Sequence, residues 1–285
     1  MLKRGSVAGL VLLLGACSGE EDALVEKNEL SHFTSDFDVS AWEIVYKSDD
    51  YLIDGYVVRP NGPEDEYPTL IINRGGNRDF GEITEQQLAG LHAYWADKGY
   101  TVIASQYREG GDSEGEDEFG GEDVTDVMQL EQVAKELTFA DEETIFMLGY
   151  SRGGIMAYRA IAEGMDVTAA AAVGGVSDMM DTYEFRGPRM KRVLVDLVGH
   201  PAEVPEAYAK RSALEWPEDI TVPLMLLHGE ADEQVPLDQS VRLYEALHEL
   251  GFETELVTYE EGDHGLSDYF DEYTMEIDEW FYKYK

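Results

Sequence analysis

One serine has a setting that implies chemistry before any other residue does. Ser151 stands in Gly149-Tyr150-Ser151-Arg152-Gly153. Before it runs Thr144-Ile145-Phe146-Met147-Leu148, apolar and of strand length; after it, Ile155-Met156-Ala157 through Ala160-Ile161-Ala162 carry apolar residues at helical spacing. Strand, Gly-x-Ser-x-Gly and helix in that order make a nucleophile elbow. The chain reverses so sharply there that the residues two before and two after the serine crowd each other, so both must be small, as Gly149 and Gly153 are. Such a turn presents a hydroxyl at the carboxyl edge of a sheet, beside a helix N-terminus that favours developing negative charge. The chemistry is nucleophilic acyl transfer.

A serine nucleophile needs a base, and the base needs an orienting acid. Of six histidines, His264 is placed for the first role, in Glu261-Gly262-Asp263-His264-Gly265 after a strand-like run and before a C-terminal helical pattern. His32 lies in a polar segment, His92 and His248 fall in helical patterns, and His200 in an irregular region. His228 ends the apolar run Pro223-Leu224-Met225-Leu226-Leu227 and suits a supporting role. Asp232, a few residues beyond it, is the candidate acid. Asp238 competes, but reads as the cap of a helix from Gln239; Asp263 is too close in sequence to His264 to bond its ring. Ser151, Asp232 and His264 follow in the chain order expected of α/β-hydrolases.

Around these residues the chain resembles the catalytic domain of the prolyl oligopeptidase family of serine peptidases. Gly149-Tyr150-Ser151-Arg152-Gly153-Gly154, the loop from His228-Gly229 through Asp232 to Val235-Pro236, and Asp263-His264-Gly265 carry the likeness. So does Gln106-Tyr107-Arg108-Glu109-Gly110-Gly111, leading into Phe119-Gly120-Gly121-Glu122-Asp123-Val124. It covers roughly residues 42 to 283 and implies an α/β-hydrolase fold, serine acyl transfer, and peptides or small esters as substrates. Two departures stand out. Family members of full peptidase character usually carry a large β-propeller, for which this chain has no room. The oxyanion loop, often His-Gly-Gly or Tyr-Gly-Gly in the family, reads Asn73-Arg74-Gly75-Gly76-Asn77, so no hydroxyl donor stands at Arg74.

Backbone chemistry still supplies an oxyanion hole. Thr69-Leu70-Ile71-Ile72 reads as a buried strand, and the glycines after it let main-chain N–H groups approach a ligand closely. Gly75 is one candidate donor; the N–H of Arg152, next after the nucleophile, is the other. The Arg74 side chain, turned inward, could meet a substrate anion. Together with Tyr150 it is a candidate substrate contact.

The elements that must position these residues follow from hydrophobic pattern. Strand-like runs fall near 42–47, 51–58, 69–73, 101–106, 144–148, 168–173, 223–228 and 253–259, and helical patterns near 84–98, 123–138, 153–163, 238–250 and 268–283. The first two strands form an antiparallel hairpin around Ser48-Asp49-Asp50. Thereafter strands and helices alternate, which implies a mostly parallel sheet with helices on both faces. Between about Ser177 and Asp219 the alternation stops, and Met179, Met180, Tyr183, Phe185 and Met190 lie among charges and prolines. That insertion reads as a small cap whose apolar side chains either line an acyl pocket or pack the cap onto the body.

The N-terminus suggests an address. Met1-Leu2-Lys3-Arg4, the apolar run Val7 to Leu14, and Leu14-Gly15-Ala16-Cys17 have signal-peptide anatomy, the last four residues resembling a bacterial lipobox. On that reading residues 1–16 are removed and Cys17, the chain's sole cysteine, carries a lipid, which palmitate labelling of Cys17 would test. Residues 17–40 then form an acidic tether, and 41–285 the catalytic domain. The expected site is the bacterial cell envelope, with Ser18 compatible with the outer membrane.

The formal net charge of −39, from 60 acidic and 21 basic residues, argues against nucleic acid and anionic membrane surfaces as partners, leaving the lipid anchor as the one membrane contact. With 44% hydrophobic residues the core is ample, so the acids decorate a surface. Their mutual repulsion should be relieved by ions: Tm is expected to rise with added salt, and a flat or falling Tm would contradict this. The acidic run Asp112 to Asp123 does not match an EF-hand and reads as a solvated rim loop, with Glu109 and Glu114 as remote candidates for a substrate amine. No motif calls for a cofactor or metal. The leading function is a serine peptidase on short peptides or aminoacyl compounds. A carboxylesterase with the same triad is the alternative, and a binding lipoprotein without turnover the third; the oligomeric state is left open.

Overall fold

A computed structural model describes residues 22–285. The segments read as a leader and a lipobox, with Cys17, lie outside the described residues. Within them, nine strands make one sheet: β1 (Leu24–Glu29), β2 (Val39–Ser48), β3 (Tyr51–Pro60), β4 (Tyr67–Asn73), β5 (Thr101–Ser105), β6 (Ala140–Tyr150), β7 (Ala169–Val173), β8 (Leu224–Gly229) and β9 (Thr254–Tyr259). Their order is β1-β2-β3-β5-β4-β6-β7-β8-β9. The first three strands and the β3–β5 pairing are antiparallel, and every pairing from β5 through β4 to β9 is parallel. The expected hairpin is present, with Ser48 opposite Tyr51.

The central parallel strands carry unbroken buried apolar runs, Leu70–Ile72, Ile145–Leu148, Ala169–Val173 and Leu224–Leu227, because both faces are covered. Successive residues divide between two cores. Ile71, Met147, Ala170 and Leu226 join one cluster; their neighbours Leu70, Phe146, Ala171 and Leu227 join the other. Helices α3 (Val124–Glu136), α4 (Arg152–Ala162) and α8 (Leu237–Leu250) pack into the first cluster. The second holds α9 (Phe270–Tyr282) and the segment α1 (Glu85–Gln87), π-helical Leu88–His92 and α2 (Ala93–Asp97). The pattern over 84–98 therefore forms one helical path with a π-helical middle rather than a uniform helix.

Residues 24–29, placed in an acidic tether by the sequence reading, instead form β1 on the edge of the sheet. The N–H groups of Ala23 and Leu24 donate to the Glu136 carboxylate at 2.7 and 2.9 Å, and Lys27 lies 4.9 Å over the Phe139 ring. The folded body thus begins before residue 41. A second adjustment concerns Asp238: α8 starts at Leu237, so Asp238 lies inside its first turn and pairs with Arg242 at 2.7 Å.

Between β7 and β8 the insertion forms α5 (Met179–Phe185), α6 (Pro188–Leu197) and α7 (Pro205–Ala209). A third apolar cluster joins it to the body through Met179, Leu194 and Tyr208 on one side and Phe119, Ile155 and Val235 on the other. Both roles weighed for its apolar residues occur: Met179 is wholly buried in packing, whereas Met190 lines the cavity at Ser151.

Candidate active site

Ser151 joins β6 to α4 with φ 55° and ψ −117°, a left-handed conformation that a residue with a side chain rarely adopts. Its N–H donates to Val173 at 3.0 Å, and its carbonyl accepts from Gly154 and Val176, which ties the turn to the end of β7 and to the first turn of α4. A Cβ on Gly149 would collide with the Gly153 backbone, and one on Gly153 with the carbonyl of Asn73. The elbow therefore closes only with glycine at both places, as the spacing implies.

The candidate acid and base meet across two loops. His264 Nδ1 lies 2.7 Å from Asp232 Oδ2. Asp232 Oδ1 accepts the N–H groups of Gln234 and Val235 at 2.7 and 3.0 Å. The buried His228 completes the set. Its Nε2 faces two acceptors, Val235 O at 3.0 Å and Asp232 Oδ2 at 3.1 Å, so that nitrogen carries the proton, and Nδ1 accepts from Ser240 Oγ at 2.7 Å. Burial by itself would raise the Asp232 pKa. The donors from His228, His264 and Val235 outweigh it and hold the carboxyl well below its ordinary range. An ionised Asp232 fixes the proton of His264 on Nδ1, which leaves Nε2 free to accept. Asp263 takes no part and accepts from the N–H and hydroxyl of Ser267.

Ser151 and His264 line one cavity of about 260 Å³, together with Gly75, Met190 and Arg186. Gly75 runs so close to the elbow that a Cβ there would lie 3.2 Å from that of Ser151. Among the described residues neither the Gly75 nor the Arg152 N–H has a protein acceptor. Both proposed oxyanion donors are thus beside the nucleophile and unengaged.

The two proposed substrate contacts lie elsewhere. Arg74 is buried, donates to the carbonyls of Gln106, Gly75 and Arg78, and stacks 4.9 Å from the Tyr107 ring. Burial and the nearby charge of Arg152 push its pKa down to about 10. With its donors engaged by main-chain oxygens, it organises the loop rather than meeting an anion. The Tyr150 hydroxyl lies 3.4 Å from that of Tyr273. Arg74 and Tyr150 line a separate cavity of about 310 Å³ that does not include Ser151.

The side chain of Arg152 has a role the sequence reading did not assign. It is buried and donates to Asp117 at 2.7 Å, Asp123 at 2.5 Å and the carbonyl of Gly76 at 3.2 Å. Burial opposes its charge, and the two carboxylates outweigh burial. The Tyr107 and Phe119 rings lie 5.1 and 5.0 Å from its guanidinium. The acidic run is therefore partly interior: Asp117 and Asp123 tie the elbow to the loop, and a solvated rim describes only the rest. Glu109 pairs with Arg78 and Glu114 accepts from the N–H of Leu52, so both serve the fold. A cation directly after the nucleophile, thirty residues from a dense acidic run, was the available signal. Arg152→Met would leave two buried carboxylates without their partner, and should cost about 3–5 kcal/mol of stability. Thermal or urea unfolding measures it; a loss within about 0.5 kcal/mol, the range for an ordinary surface change, would refute the buried-pair account.

Comparison with known proteins agrees with this geometry. Residues 87–284 match the Prolyl oligopeptidase family. The chain is 32% identical over 213 residues to the uncharacterized peptidase YtmA of Bacillus subtilis, covering 74% of this chain and 81% of that protein. It is 28% identical to the uncharacterized peptidase YuxL of the same organism, covering 79% of this chain but only 35% of YuxL. The fold superposes on Pyrococcus horikoshii acylaminoacyl peptidase with a TM-score of 0.71 and 23% identity, over 86% of this chain and 41% of that one. An α/β-hydrolase sheet, a strained serine elbow and the matched sequence lead to one assignment: the chain belongs to the prolyl oligopeptidase family and is a serine hydrolase of the serine peptidase type.

Proposed function

We propose that Ser151, His264 and Asp232 form a catalytic triad that cleaves short peptides or aminoacyl compounds. The observation that carries this reading is the 2.7 Å contact from His264 Nδ1 to a fully hydrogen-bonded Asp232, on a loop that brings the imidazole into the cavity of Ser151. In the first step Ser151 Oγ attacks the substrate carbonyl while His264 Nε2 takes its proton. Asp232 stabilises the imidazolium that results. The N–H groups of Gly75 and Arg152 receive the oxyanion. His264 then gives its proton to the departing group, and water repeats the sequence on the acyl-enzyme.

Two features support small peptidic substrates. The cavity at Ser151 is compact, with the α5–α6 cap over it. The relatives of known structure include an acylaminoacyl peptidase. The test is kcat/KM on one aminoacyl group carried as an ester and as an anilide. Comparable rates on both are expected of a peptidase, which must protonate an amine as it leaves. Turnover of the ester alone would replace this reading with a carboxylesterase. Silence on both, with Ser151 unreactive toward a fluorophosphonate, would remove the triad.

A further inference from the structure

Asp and Glu make up 60 of the 285 residues, yet neither the cavity at Ser151 nor the larger one beside it has a carboxylate in its lining. The two cavities share Asn77, Phe80, Arg186, Met190 and Gln234. The outer one, about 460 Å³, adds Arg189. Both arginines belong to Arg186–Arg192, where Arg186, Arg189, Lys191 and Arg192 put four of the 21 cations of the chain into one short stretch.

These cations are not drawn into the protein. Arg186 is half-buried and donates to the carbonyl of Gln234 at 3.2 Å. Among the described residues neither Arg186 nor Arg189 has a carboxylate at ion-pair distance, although Arg186 does sense the charge of Asp232. Two cap carboxylates, Asp178 and Asp181, are held by Arg242 at 3.1 and 3.3 Å. Lys191 lies over the Tyr183 ring at 5.2 Å.

We propose that the site is selective for substrates bearing a carboxylate several atoms from the scissile carbonyl, with Arg186 and Arg189 receiving it where the two cavities join. This rests on Ser151 being the nucleophile. A planar guanidinium without a carboxylate partner, at a partly desolvated mouth, is suited to bidentate carboxylate binding. The surrounding field strengthens the selection. On a surface of net charge −39 an anion is repelled almost everywhere, so a local reversal of sign creates one favoured entry. The overall charge alone would favour cationic substrates; the lining of the site reverses that expectation.

The test compares three anilides: N-acetyl-alanine 4-nitroanilide, its N-succinyl counterpart, and N-acetyl-alanine 3-carboxy-4-nitroanilide. The carboxylate is then absent, on the acyl side, or on the leaving group. At low salt one carboxylate-bearing member should exceed the neutral one by about tenfold in kcat/KM, chiefly through KM. In R186Q/R189Q that ratio should fall to within about twofold of unity, as charge-assisted bonds are lost. Equal wild-type rates, or a preference that survives the double substitution, would overturn the proposal. If no anilide is turned over, it is the peptidase reading that fails. Calorimetric titration with N-succinyl-alanine amide then reads the anion site directly. Binding about tenfold tighter by wild type than by R186Q/R189Q would support it, and equal or absent binding would overturn it.

Discussion

Ser151→Ala should lower kcat by about 10⁶-fold on any substrate the protein cleaves, because no other group can form the acyl-enzyme. Loss of the oxygen leaves His264 and Asp232 with nothing to activate. What survives comes from the oxyanion donors and from binding, about 10³-fold over water. The variant should fold as the parent does, since the elbow is held by main-chain bonds to Val173, Gly154 and Val176 rather than by the hydroxyl. Ser151→Gly sharpens the test. At φ 55° and ψ −117° a residue with a Cβ carries backbone strain of about 1–3 kcal/mol, which glycine relieves. The glycine variant should therefore be inactive and more stable, with a higher Tm. Activity of either variant within tenfold of the parent would sink the nucleophile assignment.

Asp232→Asn should lower kcat/KM by about 10⁴-fold at neutral pH, through the tautomer of His264. Both oxygens of Asp232 accept: Oδ1 from the Gln234 and Val235 N–H groups, Oδ2 from His264 and His228. An asparagine has one acceptor and cannot serve both pairs. If its oxygen faces the backbone, its NH₂ meets His264, whose proton must move to Nε2, where it blocks the serine. If it faces the histidines, the NH₂ opposes two backbone donors and the loop loses stability. Measured kcat/KM together with Tm separates the two outcomes, and a loss under tenfold with unchanged Tm would exclude Asp232 from the mechanism. The pH sign follows from the lowered pKa. Asp232 contributes its stability in full above about pH 4, the ordinary carboxyl pKa, and that contribution is lost as pH falls toward its folded pKa. Asp232→Asn should lack this part of the acid limb.

Much of this architecture was readable because its signals are local. The run 144–148 is flanked by glycine and by a helical pattern, and each candidate triad residue follows a strand-like run, so spacing alone ordered them. β1 was not readable for the opposite reason. Val25-Glu26-Lys27-Asn28-Glu29 is mostly exposed, has no apolar face to declare, and becomes a strand because Trp42 to Tyr46 offers it an edge. Arg74 misled since a single arginine in a glycine loop does not reveal that three carbonyls surround it. The joining of Arg152 to Asp117 and Asp123 is a contact between segments about thirty residues apart, and no periodicity reports it.

Among the described residues the sheet ends at β1 and β9, and each carries acidic side chains: Glu26 and Glu29 on one, and Glu255, paired with Lys283, on the other. Unpaired strand edges invite another molecule to continue the ladder, and like charge is what keeps copies apart. Ions that relieve the repulsion within one molecule relieve it between molecules as well. A brine that raises Tm should therefore also lower the barrier to edge-to-edge association, so the colloidal optimum of this protein is expected at a lower ionic strength than its thermal optimum.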